Sequence, residues 1–368
     1  MVGTNSKSGP GGDDSRRPWP PPRWEQALGP TIGLVFATLL GGLPRPPRAD
    51  DVGPDGPASI DALVEIVVRA QEDAGLEPIT DGRLRGGEAD PVAAWRFAAA
   101  LTDRAVKQTL PGPFTLGLRR GDAHDRSADS RPRRRESAGR AWREHERTTM
   151  DIADGLRRQI DALVAAGCPL IEIEEADADL IGDAEGERQL FRDAHQRLTQ
   201  GVTGTHLSLS IVGGSAAGAG VDTILAAPYA SLAVDLIAGP DNWNLVTRTP
   251  GDRGVIVGVL SAAESIDEPR EIQLWASRYA ASTGGRGLAR VGLGSAGGYA
   301  NLTWPVALRK LQHLGDAARI ASLPPGEELA RAVDPRSISA RQAALGRDAA
   351  GRDHGHRHAS DGPETPRR

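Results

Sequence analysis

The sequence predicts a single (β/α)8 TIM barrel of the α/β class, flanked by a leader and a tail. Three observations carry this prediction: short apolar runs alternate with segments of helical spacing, eight such pairs follow one another, and 368 residues suit one large domain. Alternating strands and helices form a parallel sheet with helical crossovers. Eight units over roughly 300 residues favour a closed barrel over an open sheet.

Strands are predicted where apolar runs of strand length are bounded by glycine, proline or polar residues. In the fourth strand, two isoleucines alternate with Glu172 and Glu174, so the carboxylates share one face and the isoleucines the other. The eight predicted strands are Thr31–Leu40, Glu77–Thr80, Phe114–Gly117, Pro169–Glu174, Gly204–Val212, Leu232–Ile237, Gly254–Leu260 and Leu288–Leu293.

Helices are predicted where apolar residues recur every three or four positions. In the first helix, Ile60, Leu63 and Val67 share a face, and Gly75 stands where a C-cap belongs. A longer predicted helix has Ile152, Leu156, Ile160, Leu163 and Val164 on its apolar face and stops at Gly167. The other predicted helices are Pro91–Leu110, Glu185–Thr199, Val221–Ala227, Asn242–Val246, Glu268–Ser282 and Pro305–Ile320.

Composition divides the chain into three parts. Residues 1–29 are rich in glycine, proline, serine and charge and are predicted to be a disordered leader, and residues 346–368 a disordered tail. The barrel is predicted over residues 30–345. Residues 121–143 are dense in arginine and aspartate, which indicates a charged, solvated insertion near this part of the barrel.

The net charge of -5, with basic residues interleaved among acids, argues against a nucleic acid or an anionic membrane as partner. The expected partner is a small-molecule substrate, and the sequence leaves the oligomeric state open. Cys168 is the single cysteine, so neither an intramolecular disulfide nor a multi-thiolate metal site can form, which fits a cytoplasmic protein. The apolar run Thr31–Leu40 is too short to span a bilayer and is predicted to be a strand.

In a barrel of this kind, function lies at the carboxyl ends of the strands. Glu174 is predicted at such an end, and a carboxylate inside a barrel is costly unless it is paired or ligated, so we expect it to face a ligand. Asp235 lies in an apolar strand and needs a metal, a cation or hydrogen-bond donors. His206 shares a strand face with Ser208 and Ser210, which fits either a polar barrel interior or a core histidine with local partners.

Glycine-rich loops follow the first and last predicted strands. Gly41 and Gly42 come after the first, where the backbone can approach a ligand closely. The segment Gly292–Gly297 matches the GxGxxG pattern, but it lies in the last strand–helix unit and not at a first βα turn. We therefore expect it to be a loop that closes the barrel.

The strand ends carry a resemblance to the cobalamin-independent methionine synthase family. The resemblance spans residues 31–322 and keeps the order of the family's motifs. The blocks that carry it are Thr38–Pro46, similar to the family's "GSFPR" turn, Gln71–Gly82, similar to "Q…GLD…DGE", Gly112–Leu116, Gly167–Glu175, similar to "GC..IQIDEP", His206, where the family has "HxC", and Ser295–Gly297 with the helix from Trp304.

The resemblance implies a barrel that transfers a methyl group to a thiol. In the family, a zinc ion held by His, Cys, Glu and Cys binds homocysteine as thiolate, which attacks the methyl group of a methyltetrahydrofolate. By resemblance, His206 and Asp235 are the candidate metal ligands. Ser208 replaces the first cysteine and Ala296, or alternatively Ser295, the second. Zinc and folate are thus the implied cofactors, with both thiolates missing.

The resemblance also implies a substrate set of Gly42, Arg83, Glu174, Glu175 and Ser295. Glu174 stands at the aspartate that binds the substrate's amino group, Gly42 at a serine, and Arg83 at a glutamate. Because Arg83 reverses the charge at its position, a small anionic ligand is favoured there over an ammonium group.

Three hypotheses stay open. The first is a methionine-synthase-like methyl or alkyl transferase to a thiol, with a degenerate zinc site. The second is a catalytically inactive or repurposed barrel that binds a small anionic ligand. The third is a metal-free lyase like uroporphyrinogen decarboxylase, in which Arg45 and Arg83 would grip carboxylates.

Overall fold

The computed structural model describes most of the barrel predicted from the sequence. The predicted leader (1–29) and tail (346–368) lie outside the described residues, as do residues 128–135 of the predicted insertion. The described residues are 35–47, 60–86, 89–127, 136–263, 268–327 and 329, and the side chains of 121–127 and 136–141 are not described.

Seven parallel strands form one curled sheet in the order β1-β7-β6-β5-β4-β3-β2. This confirms the prediction of an α/β barrel. The strands are β1 (Phe36–Thr38), β2 (Lys107–Pro111), β3 (Leu170–Glu175), β4 (His206–Ile211), β5 (Ser231–Asp235), β6 (Gly254–Ser261) and β7 (Val291–Ala296).

A short segment around Ile79 takes the eighth position and closes the ring between β1 and β2. Ile79 forms a parallel bridge with Val106. On the other side, the Glu77 N–H donates to the Ala37 carbonyl at 2.9 Å. The predicted strand Glu77–Thr80 is therefore a single bridge, because Pro78 has no N–H to extend a ladder.

Nine helices are described. They are α1 (Ile60–Asp73), α2 (Pro91–Ala99), α3 (Pro113–Ser127), α4 (Glu136–Ala166), α5 (Glu185–Thr199), α6 (Val221–Leu225), α7 (Trp243–Arg248), α8 (Arg270–Ser282) and α9 (Trp304–Ala321). The described parts of the predicted insertion, residues 121–127 and 136–143, belong to α3 and α4 and are helical.

The third predicted strand was wrong. Residues 114–117 form the first turns of α3, with Pro113 at its first position, where a missing N–H costs nothing. The strand is β2 (Lys107–Pro111) instead, inside the predicted helix Pro91–Leu110, which ends at Ala99. Lys107 and Thr109 turn polar side chains inward, so the strand shows none of the apolar alternation that marks a half-buried strand.

Two hydrophobic cores result. The larger lies between the outer wall of the barrel and the helices. The smaller fills the barrel interior and contains Leu40, Val212, Ala233 and Ile256, with Phe36 packed against them. The glycines of β7 make room for it, because a Cβ on Gly292 would lie 2.4 Å from the Phe36 ring. The GxGxxG segment is thus explained by packing.

A buried ion pair lies in the lower half of the barrel. Lys107 Nζ is 2.7 Å from Glu172 Oε2, and both side chains are almost fully buried. Thr109 Oγ1 donates to the other oxygen of Glu172 at 3.3 Å. The Glu172 carboxylate is therefore satisfied within the barrel, away from any ligand.

Lys107→Met is expected to lower the free energy of unfolding by about 3–5 kcal/mol, since it leaves the Glu172 charge buried without a cation. The double variant Lys107→Met, Glu172→Met removes both charges and is expected to recover most of that loss. Urea unfolding followed by circular dichroism measures both. Equal destabilisation of the single and double variants would show that the pair itself does not carry the effect.

Candidate functional site

An ion pair lies across the carboxyl ends of the strands. Arg83, in the loop that follows Ile79, contacts Glu174 near the end of β3, with Arg83 Nη1 2.5 Å from Glu174 Oε1. The Arg83 backbone has a positive φ of 58°, which a non-glycine residue rarely adopts. Its N–H donates to Asp81 Oδ1 at 2.8 Å, which holds the turn in this conformation. The loop thus directs the guanidinium over the barrel mouth.

Gly42 packs against this loop. A Cβ on Gly42 would lie 3.1 Å from the Gly82 carbonyl oxygen and 3.4 Å from Arg83 Cβ. The neighbouring Gly41 has a positive φ of 81°, and a Cβ there would lie 2.6 Å from Gly298 Cα. These two glycines therefore let the loops after β1 and β7 and the Arg83 loop meet closely over the mouth.

Unused hydrogen-bonding capacity lies beside the ion pair. Glu174 Oε2 is buried and has no hydrogen-bond partner among the described residues, and the same holds for Ser210 Oγ. The two residues are direct neighbours, because Glu174 pairs with Ser210 in the register of β3 and β4. Buried polar groups are normally paired, and leaving one unpaired costs about 1–3 kcal/mol. Glu174 Oε2 and Ser210 Oγ therefore have hydrogen-bonding capacity that no described residue uses.

The charges of this site are set by burial and by the ion pair. Burial alone would lower the pKa of Arg83, but the charge and hydrogen bond of Glu174, with Glu172 behind it, outweigh burial and raise this pKa. Burial raises the pKa of Asp81, against the backbone hydrogen bond from Arg83. The guanidinium of Arg83 thus stays fully charged at neutral pH.

Asp235 lies at the end of β5, and its partners are backbone donors. Asp235 Oδ1 accepts from the N–H groups of Ile237 at 2.8 Å and Ala238 at 2.9 Å. Asn242 Nδ2 donates to the Asp235 carbonyl at 2.9 Å. Of the partners that the sequence left open for Asp235, the structure shows hydrogen-bond donors, and the side chain shapes its own loop.

His206 lies at the opposite end of the barrel, because it begins β4. Its Nε2 is 2.8 Å from Ser231 Oγ, whose hydroxyl donates to Ser208 Oγ at 2.9 Å. The register pairs Ser208 with Ser231, which places His206 two residues before that level and Asp235 four after it. Six residues of strand span about 20 Å, so the structure does not bring the two candidate metal ligands together.

The described residues do not fit a zinc ion. Within these ranges, no group of three or more His, Cys, Asp or Glu side chains could hold a metal. Ser208 is engaged by Ser231, and Ala296 offers no ligand atom. Burial raises the pKa of the Cys168 thiol to about 12, and the residue lies before the start of β3. No chemical step is therefore derived through a metal.

Glu175 points away from the mouth, into the layer between the barrel and its helices. Its carboxylate accepts from the Phe114 N–H at 3.0 Å and the Thr115 N–H at 2.8 Å, and so caps the amino end of α3. A Cβ on Gly112 would lie 2.1 Å from Glu175 Cδ, so only glycine fits there. Glu175, which was predicted to bind substrate, is thus fully buried behind the barrel wall and holds the start of α3.

Two residues that the sequence reasoning missed complete this network. His195 Nε2 lies 3.0 Å from Glu175 Oε1, and His195 Nδ1 lies 2.7 Å from the Tyr229 hydroxyl. Burial, and secondly the charge of Glu175, raises the pKa of Tyr229 well above its ordinary value. His195 lies on the buried face of α5 beside Phe191 and Ala194. Its position on the apolar face of this helix is the sequence feature that indicates a buried histidine with a polar partner.

Ser295 joins β7 to the residues that follow β1. Its Oγ accepts from the Leu40 N–H at 2.9 Å and donates to the Leu40 carbonyl at 3.1 Å. It therefore replaces ladder hydrogen bonds and is fully buried. Of the predicted substrate residues, the structure brings Gly42, Arg83 and Glu174 together at the mouth, and it places Glu175 and Ser295 within the wall.

No helix in the described parts of the chain is long and apolar enough to cross a membrane. No protein-family model matches the sequence, and no curated protein does.

Solved structures with similar folds include two methionine synthases and a methyltransferase. A B12-independent methionine synthase from Shewanella sp. W3-18-1, in complex with selenomethionine, has a TM-score of 0.59 and 15% identity over 78% of this chain and 97% of its own. A putative vitamin-B12 independent methionine synthase from Listeria monocytogenes has a TM-score of 0.56 and 15% identity, covering 78% and 98%. A methyltransferase from Methanosarcina mazei has a TM-score of 0.53 and 13% identity, covering 79% and 94%. At these identities the likeness shows the fold.

The half-buried His206 is expected to make stability depend on pH. Burial lowers its pKa from 6.5 to about 4. At pH values between 6.5, the ordinary pKa of histidine in the unfolded chain, and about 4, the unfolded chain binds a proton that the folded chain does not. The free energy of unfolding therefore falls as the pH falls through this range. His206→Gln is expected to reduce the stability lost between about pH 7 and about pH 4.5 by about 1–3 kcal/mol.

Urea unfolding at a series of pH values measures this loss. Ser231→Ala is the matched control, because it removes the contact of His206 and leaves its burial in place, so the pH dependence should persist. A pH dependence in His206→Gln equal to that of the unmodified chain would assign the loss to other groups.

Proposed function

We propose that this chain is a methyltransferase-like barrel that binds a small amino-acid-like molecule at the carboxyl ends of its strands. The observation that carries the proposal is the Arg83–Glu174 pair, with Glu174 Oε2 and the neighbouring Ser210 Oγ both buried and without partners. A ligand with an ammonium group and a carboxylate would satisfy both members of the pair.

The chemistry of the three side chains supports such a ligand. Glu174 Oε2 accepts a hydrogen bond from an ammonium group, and the charges make this bond stronger than a neutral one. Arg83 spends one N–H on Glu174 and is about one-third exposed, so its remaining N–H groups are available to a carboxylate. The Ser210 hydroxyl can donate or accept beside them. These residues bind and orient a ligand, and no proton transfer is assigned to them.

Charge balance favours a zwitterion over a simple anion. Arg83 and Glu174 neutralise each other, so the site offers an anion no net positive charge. The lyase hypothesis needs several arginines to bind the carboxylates of one substrate, and of Arg45 and Arg83 only Arg83 has a contact with Glu174 at the mouth. The Shewanella methionine synthase with this fold was solved with selenomethionine, an amino acid, which supports the same ligand class.

Isothermal titration calorimetry with L-methionine, methylamine and propionate tests the proposal. L-methionine is expected to bind, and Glu174→Gln is expected to weaken its binding about 10- to 100-fold, since a charge-assisted hydrogen bond contributes about 1.5–3 kcal/mol. The same variant should also weaken methylamine, and it should strengthen propionate, because Arg83 then loses the carboxylate that neutralises it.

Glu185→Gln is the matched control, because Glu185 is an exposed glutamate on α5. It should bind L-methionine as the unmodified chain does. Absence of L-methionine binding, or equal affinity in Glu174→Gln and the unmodified chain, would contradict the proposal.

Transfer of a methyl group to a thiol is the second candidate function. It is favoured by the fold shared with two methionine synthases and a methyltransferase. Elemental analysis of the purified protein, together with an assay for methionine from homocysteine and methyltetrahydrofolate, tests it. From the geometry we expect no stoichiometric zinc and no product. Stoichiometric zinc that is lost in His206→Ala would support the zinc-dependent reaction and contradict this expectation.

A further inference from the structure

An exposed aromatic surface lies on α7 and α8, on the outside of the barrel. Ile272, Trp275 and Tyr279 are 46%, 55% and 38% exposed, and their spacing along α8 places them on one face. Trp243 of α7 packs against the two aromatic rings. Leu274, Ala276 and Ala280 form the opposite, buried face of α8. One apolar face of α8 thus packs against the barrel, and the aromatic surface is a second apolar face that is exposed.

The rings of this aromatic surface form a corner. Trp275 and Tyr279 are stacked, with centroids 5.2 Å apart and planes 13° apart. Trp243 stands edge-on to both, with centroids 5.3 Å away and planes at 66° and 79°. Rings that hold one another in place lose little conformational entropy when a ligand binds. Aromatic-lined surfaces of this kind accept proline-rich segments in the polyproline II conformation.

We propose that the aromatic surface binds the proline-rich segment of the same molecule, residues 18–24. Its sequence is Pro-Trp-Pro-Pro-Pro-Arg-Trp, with four prolines among its first five residues. Consecutive prolines favour polyproline II, because the ring fixes φ before binding. This lowers the entropy cost of docking. Arg23 lies within the segment, and the exposed acid Glu271 is next to Ile272 of the aromatic surface in sequence.

The topology brings the segment within reach. The chain enters the described barrel at Val35, just before β1, and β1 pairs with β7, on which α8 packs. Crossover helices run back against the strands, so Tyr279, near the end of α8, lies toward the barrel end where Val35 enters. Residues 25–34 join Trp24 to Val35, and ten extended residues span about 33–36 Å. The distance from Val35 to α8 is about one sheet-to-helix packing distance, about 10 Å, plus two strand spacings, which together amount to roughly 20 Å. The ten linking residues are therefore long enough to reach the aromatic surface.

Paramagnetic broadening in the full chain tests this placement. A spin label is attached to Ser15→Cys. The native Cys168 is buried and its thiol pKa is raised to about 12, so it should stay unlabelled. With 5-fluorotryptophan incorporated, the fluorine signals of Trp243 and Trp275 are expected to lose intensity. The signal of Trp142, on α4 at a different part of the wall, should keep its intensity.

Two variants separate specific docking from general proximity. Replacing Pro20, Pro21 and Pro22 by serine keeps the length and is expected to abolish the intensity loss. Tyr279→Ser removes half of the stacked pair and is expected to reduce it. Leu180→Ala is the matched control, because Leu180 is an exposed apolar residue elsewhere, and it should leave the loss unchanged.

A mixing experiment decides which molecule supplies the segment. Spin-labelled chains without fluorine are mixed with fluorinated chains without the label. Undiminished signals in the mixture support docking within one molecule. Broadening of Trp243 and Trp275 in the mixture would assign the occupant to a second copy and overturn the proposal. Equal broadening of the Trp142, Trp243 and Trp275 signals in the doubly labelled chain, or broadening of none of the three, would overturn it too.

Discussion

The burial of three carboxylates on β3 is the constraint on which the rest of the structure depends. Glu172 and Glu174 face the barrel interior and Glu175 faces the helices, and none is more than slightly exposed. Charge in such surroundings is tolerated only with a nearby partner. Each neighbouring element supplies one: β2 provides Lys107, and the loop after Ile79 provides Arg83. The carboxylate of Glu175 accepts two N–H groups at the amino end of α3 and contacts His195.

These partners also explain where the backbone has to be unusual. Gly112 lies where any Cβ would collide with Glu175, so the capped start of α3 requires glycine immediately before it. Arg83 adopts a positive φ, stabilised by the carboxylate of Asp81, so that its guanidinium reaches Glu174. The loops over the mouth approach one another through Gly41 and Gly298. The unusual backbone at Gly112 and Arg83 thus serves the carboxylates of β3.

The sequence predicts the barrel well, because most strands are apolar on the face that the helices cover. These strands therefore appear in the sequence as short apolar runs. It fails at β2, where Lys107 and Thr109 serve the interior charge network and remove that pattern. It also identifies Glu174 as a mouth residue by strand position, whereas the ligand role of Glu174 stays a prediction. His206 became a candidate ligand through the resemblance, although it lies near the start of the predicted strand Gly204–Val212. The register separates it from Asp235 by about 20 Å.

The polar residues described in this barrel differ in whether their hydrogen bonds are complete. In Glu172 and Glu175, both carboxylate oxygens have protein partners. The Ser295 hydroxyl both accepts and donates a hydrogen bond. Among the described residues Glu174 has a partner on one oxygen only, and at 7% it is slightly more exposed than Glu172 (1%) and Glu175 (0%). A fold that satisfies its other β3 carboxylates leaves this one incomplete beside Ser210, at the end of the barrel where the fold admits a ligand. An incomplete carboxylate with a charged neighbour suits a molecule that brings its own donor, which is why we propose an amine-bearing acid as the ligand of this site.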